Sequence, residues 1–109
     1  MSTIVILTDE NKIGSFTAYV VENKDLTEEE NKLLDYWVQE NEKGYTSEDC
    51  SLGTPYDKAP EGQQRYYDLY RMLTGYGQEG KFEPGKFKQT TQITPYLKNV
   101  TRVISLFTC

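Results

Sequence analysis

The stretch TEEENKLLDYWVQENEKG, residues 27–44, decides how the rest of the chain is read. Thr27 and Glu30 stand three positions apart at its head. This is the spacing of a capping box, in which a hydroxyl and a carboxylate satisfy reciprocal backbone donors. At 100° per residue, Leu33, Leu34, Trp37 and Val38 fall on one stripe. Lys43 suits the negative C-terminal end and Gly44 the position after the last turn. Together these signals predict a helix over residues 28–43 with a single apolar stripe.

Towards the N-terminus, Thr3 to Thr8 is an apolar, β-branched run that reads as a strand. Asp9-Glu10-Asn11-Lys12 supplies turn chemistry, with Gly14 close behind. From Ser15 to Val21 the chain alternates, Phe16, Ala18 and Val20 against Ser15, Thr17 and Tyr19. A period of two predicts a second strand with one face buried, paired to the first as a hairpin.

Towards the C-terminus, residues 45–59 have loop composition. A second helix is expected from Pro60, a residue suited to a first helical position, to Gly75. It carries Tyr66, Leu69, Tyr70 and Leu73 at i, i+3, i+4, i+7 spacing, with Arg65, Asp68 and Arg71 on the opposite face. Gly75, Gly77, Gly80, Pro84 and Gly85 make a connection. Phe87 to Thr94 alternates and reads as a strand ending at Pro95, and Val100 to Phe107 is the most β-prone run in the chain. The order ββααββ is best closed as a single α+β domain over residues 1–109. In it, a mainly antiparallel four-stranded sheet is covered on one face by two helices.

Composition narrows the chemistry. With 109 residues, 37% apolar and 13% aromatic, including 9 tyrosines, the chain can bury a core without metal or disulfide staples. Histidine is absent, which removes Ser-His and Cys-His nucleophile pairs and the commonest metal ligand. Cys50 and Cys109 cannot complete a four-ligand zinc site by themselves. They read as free thiols, and with no signal-peptide pattern at Met1–Leu7 the expected compartment is the cytoplasm. No cofactor and no metal are expected. Gly75-Tyr76-Gly77-Gln78-Glu79-Gly80 matches G-x-G-x-x-G, but a helix precedes it and an extended segment follows. A dinucleotide fingerprint needs the reverse, so the motif reads as a helix stop with a linker.

Charge is lopsided within a formal net of −5. Residues 25–49 hold nine carboxylates against Lys32 and Lys43, whereas residues 80–109 hold Lys81, Lys86, Lys88, Lys98 and Arg102 against Glu83. An acidic chain repels phosphate backbones, so direct nucleic-acid binding is not expected. The basic stretch, interleaved with Phe82 and Phe87, has the residue types that grip single strands. Internal charge balance or a self-complementary dimer surface accounts for it better.

On the first helix, Glu28, Asp35 and Glu42 line up seven residues apart, about 10.5 Å at the standard rise. That row can imitate phosphates towards a nucleic-acid-binding protein, or it is a solvated face in which Glu28 pairs with Lys32. Glu48 and Asp49 thicken the patch. Tyr45, Tyr56 and Tyr76 fall in loops, where rigid amphipathic rings either anchor a partner or pin the loop to the core. These eight residues are the candidate partner-binding surface. The expected function is a non-enzymatic binding protein that covers a basic surface of a protein partner. Inhibitors and regulators carried by viruses and mobile elements share this profile. Two other functions stay open: a small-ligand domain with a pocket lined by Trp37, Tyr66, Tyr67 and Tyr70, and a small enzyme using Asp/Glu or Tyr.

Overall fold

The computed structural model describes residues 1–9, 16–43, 55–75 and 82–108. Strand β1, Ser2–Asp9, and strand β2, Phe16–Glu22, form the expected antiparallel hairpin. Helix α1 spans Glu28–Lys43 and helix α2 spans Glu61–Thr74. A three-residue strand β3, Lys88–Thr90, and the long strand β4, Val100–Thr108, follow. Short 3₁₀ turns occupy Asn23–Asp25, Tyr56–Lys58 and Thr94–Asn99. No described helix is long and apolar enough to cross a membrane.

The helix boundaries follow from local chemistry. The capping box forms: the Thr27 amide donates to Glu30 Oε1 at 2.8 Å and the Glu30 amide to Thr27 Oγ1 at 3.2 Å. Helix α2 stops at Gly75, which adopts the left-handed conformation at φ 74° and donates its N–H to the Arg71 carbonyl at 2.9 Å. The chain then returns to the same helix end. The Gly85 amide reaches the same carbonyl at 2.9 Å and Phe87 reaches Met72 O at 3.2 Å. Gly75 and Gly85 lie back to back, and a Cβ on either would stand 3.6–3.7 Å from the other's Cα.

The sheet runs in the order β3-β2-β1-β4. β1–β2 and β2–β3 are antiparallel, but β1–β4 is parallel. Two of the three pairings are antiparallel, in keeping with the expectation, and the one parallel pair makes the sheet mixed. Its physical reason lies in β1, which is apolar on both faces and suits a central position with two long partners. β3, at three residues, is too short to pair the whole of β4.

Register assigns the faces. Thr3, Val5 and Leu7 lie beside Val21, Tyr19 and Thr17, and beside Arg102, Ile104 and Leu106. This face packs against Leu33, Leu34 and Trp37 of α1 and Tyr66, Leu69, Met72 and Leu73 of α2. It is the side of Tyr19, and since Ala18 and Val20 on the other side are buried too, the expectation of one buried face is corrected. Both faces of β2 are in fact buried along part of their length.

The opposite face carries Ile4, Ile6, Ala18, Val20 and Val103. Thr90 is level with Ala18, and Val100 with Ser2, so the chain between them must cross β2 and β1. Three strand spacings and four residues of descent make a diagonal of about 20 Å. Six 3₁₀ residues, preceded by the helical Ile93 at φ −92° and ψ −17°, leave the connection almost no slack over that span. The segment 91–99 therefore runs straight across the face that the helices leave open. Ile4, Ala18 and Val20 lie under that diagonal and are buried. Phe16 and Val103 lie beside it, 52% and 49% exposed.

Candidate interaction surface

The outward face of α1 carries Glu28, Glu29, Lys32 and Asp35, all exposed. Lys32 Nζ stands 3.8 Å from Glu28 and 3.6 Å from Glu29, pairs that solvent keeps weak. Asp35 accepts a hydrogen bond from Arg102 Nη1 at 3.0 Å, with the carboxylate 65% exposed and the guanidinium 13%. Glu28 and Asp35 thus share one helix face, as expected. The side chain of Glu42, and residues Tyr45, Glu48, Asp49 and Tyr76, lie outside the described residues.

Arg102 also donates to Thr3 Oγ1 at 2.9 Å, Asn31 O at 3.2 Å, Asn31 Oδ1 at 2.6 Å and Asn23 Oδ1 at 3.4 Å. Its fork spans the start of β1, the turn after β2 and the first half of α1. Lys86 is drawn inward in the same way. Its Nζ lies 2.6 Å from Glu30 Oε1, where the carboxylate is 2% exposed and the lysine side chain 16%. Burial pushes the Glu30 carboxyl up, but the Lys86 bond and the Thr27 amide and hydroxyl outweigh it and hold the group below its ordinary value.

These contacts dissolve the basic patch suggested by the C-terminal composition. Lys86 and Arg102 serve internal balance, Phe87 is buried, and Phe82 packs against the core. Lys88 and Lys98 stay exposed, while Lys81 lies outside the described residues.

Tyr56 is half-buried, and its hydroxyl donates to the carboxylate of Asp68 at 3.1 and 3.3 Å. Gln64 Nε2 donates to the Tyr56 carbonyl at 2.7 Å, and the ring tilts against Tyr67 at 6.0 Å. Burial first, then the Asp68 charge, pushes the Tyr56 phenol up to about 12. Tyr56 therefore ties its turn to α2. Asp68 is buried, a correction to its placement on the solvated face of that helix.

Three of the four residues proposed to line a ligand pocket, Trp37, Tyr66 and Tyr70, come together, and Tyr67 meets Tyr56. Trp37 and Tyr66 are buried edge to face at 6.1 Å, and Tyr66 stacks on Tyr70 at 6.0 Å. Tyr36 meets Trp37 at 5.3 Å and carries the Arg65 guanidinium 4.2 Å above its ring. Burial pushes the Tyr66 phenol up to about 12. Tyr67 and Tyr70 are half-buried at the margin.

Sequence reading did not single out Arg102 as a hub, the Glu30–Lys86 pair or the burial of Asp68. Glu30 and Lys86 are 56 residues apart, and no local spacing signals such a contact. The two shifted carboxyls among the described residues, Glu22 and Glu30, are both lowered, and the shifted tyrosines are raised. Every such shift leads away from neutrality, where general acids and bases are tuned. No cluster of three or more metal-ligating side chains occurs among the described residues. Compared with protein-family models, curated proteins and solved structures, the chain matches none.

Proposed function

We propose that this chain is a non-catalytic binding domain that covers a basic surface of a macromolecular protein partner with the acidic face of α1. One observation carries the reading. Lys86 and Arg102 are drawn inward, whereas the carboxylates Glu28, Glu29 and Asp35 stay in solvent beside the single exposed lysine Lys32, so the described outward face of α1 keeps a net negative charge. An outward acidic face steers association with a basic partner and falls off with salt. On sequence grounds the reading also takes in Glu42, Glu48 and Asp49 as further acidic contacts and Tyr45, Tyr56 and Tyr76 as aromatic ones. Of these, Tyr56 contributes its ring, since its hydroxyl is held by Asp68. The expected setting is the cytoplasm, and the profile suits an inhibitor or regulator of the kind viruses and mobile elements carry.

The test is charge reversal at Glu28, Glu29 and Glu42 to lysine, sparing Asp35 because it holds Arg102. Wild type and variant are used side by side to capture partners from extract at graded salt. A partner held by the wild type, released by salt and captured at least about tenfold less by the variant supports the reading. An identical set of captured proteins at every salt concentration overturns it.

A further inference from the structure

We propose that the outer edge of β4 is a docking surface for a second copy of this chain, strand against strand, and that the Asn41 side chain holds it closed. Asn41 Nδ2 donates to the Ser105 carbonyl at 2.8 Å, and Asn41 Oδ1 accepts the Ser105 amide at 3.1 Å. One carboxamide thus supplies both bonds that a neighbouring strand would supply at that residue. Backbone groups alternate sides along a strand, so Val103, two residues before Ser105, points its N–H and C=O outward as well.

The two edges of the sheet are protected differently. β3 is three residues long and presents Lys88 to solvent, two of the ordinary ways of discouraging strand addition. β4 is nine residues long. Its one charged residue, Arg102, lies on the helix-covered face and is paired to Asp35. On the open face, Val103 and Ser105 carry no charge.

A second copy fits this edge by symmetry. When two β4 strands run antiparallel about a two-fold axis at Val103, the two Val103 residues exchange both backbone bonds. Ser105 of each copy then faces the irregularity at Thr101 of the other, where the register of β4 against β1 shifts by one residue. On the open face, Phe16, Ile6 and Val103 lie on one diagonal, β2 to β1 to β4. The two-fold axis continues that line straight into Val103, Ile6 and Phe16 of the second copy. The chain's net charge of −5 sets copies against each other, so this pairing is expected to tighten as salt screens the repulsion. Pairing beyond Val103 needs Ser105 released in both copies, so Asn41 competes twice per dimer.

Sedimentation of the whole chain over a range of concentrations tests this. Asn41→Ala should dimerise with a Kd at least about tenfold tighter than that of the wild type, a conservative figure for four freed backbone groups. Adding Val103→Lys should return it to monomer. Should the alanine variant fail to fold, Asn41→Ser, which is too short to span to Ser105, carries the same expectation. A variant that sediments as monomer wherever the wild type does overturns the proposal, as does a dimer indifferent to Val103→Lys.

Discussion

The two faces of the sheet are built on the same alternation of side chains yet end up differently. One is sealed by α1 and α2, with Trp37, Leu34, Leu69 and Met72 seated on Val5, Tyr19 and Ile104. The other is crossed once, obliquely, by residues 91–99. Under that strap Ile4, Ala18 and Val20 are as dry as anything on the helix side. One strand position further out, Phe16 and Val103 stand in solvent. The comparison teaches that a period of two tells which residues share a face. The route of the connections decides which part of that face is buried.

Substitution can sharpen or break the contrast. The largest effect is expected from Trp37→Ala, which empties the centre of the sealed side. A loss of about 3–5 kcal/mol should appear in urea unfolding. A loss below about 1 kcal/mol would mean that the helix layer does not carry the core.

Next comes Glu30→Gln, which keeps the cap geometry and leaves Lys86, among the described residues, only the solvent-exposed Glu83 carboxylate, 4.0 Å away. At neutral pH it should cost about 2–3 kcal/mol, discounted from a fully buried pair because Lys86 keeps some solvent. The sign with pH follows from the lowered Glu30 carboxyl. Its stabilisation is fully present above the unfolded-state value, near 4.3, and is lost as pH falls through the folded value. The gap between wild type and variant should therefore close on acidification below about pH 4. Urea midpoints at pH 7 and pH 3 check it, and a gap no smaller at pH 3 than at pH 7 contradicts the ionic account.

The smallest effects belong to the open corner. Phe16→Ser and Val103→Thr should each change stability by about 0.5 kcal/mol or less. A cost above about 1 kcal/mol at either site would show that the corner is covered, and would erase the difference between the faces.

Much of the local structure was legible before any coordinates. The Thr27–Glu30 box, the Leu33-Leu34-Trp37 stripe and Lys43 with Gly44 gave helix limits of 28–43, and these are the observed limits. Pro60 and Gly75 bracketed α2 because a fixed φ and a positive φ are properties of single residues. The hairpin between β1 and β2 was legible from the turn residues between two β-prone runs. The parallel pairing of β1 with β4 was not, since an order of elements is compatible with several sheets. The strand expected over 87–94 shrank to Lys88–Thr90, because the rest of it leaves the ladder to begin the crossing.

The candidate site was legible only in its outline. The spacing of Glu28 and Asp35 placed them correctly on one helix face. That Arg102 would claim Asp35 depends on β4 lying beside α1, which is a consequence of topology. Tyr66 and Trp37 lie on the predicted core stripes of their helices and were named as ligand contacts only in the alternative reading, because aromatic chemistry serves both. Only the packing of one ring on the other distinguishes them.

The closure at the end of α2 has a practical consequence. Gly75 and Gly85 touch backbone to backbone, and both donate to the Arg71 carbonyl. The two glycines form a narrow gate at the ends of the connection, and Phe82, within it, packs against the core while its carbonyl accepts from Arg71 Nε at 3.1 Å. Whatever is spliced in ahead of Phe82 need not disturb the register of β3 or the seat of Phe87. Doubling that span adds only about 0.6 kcal/mol of closure entropy. The gate is therefore a natural port for a displayed epitope or a reporter, with the domain itself left as the handle.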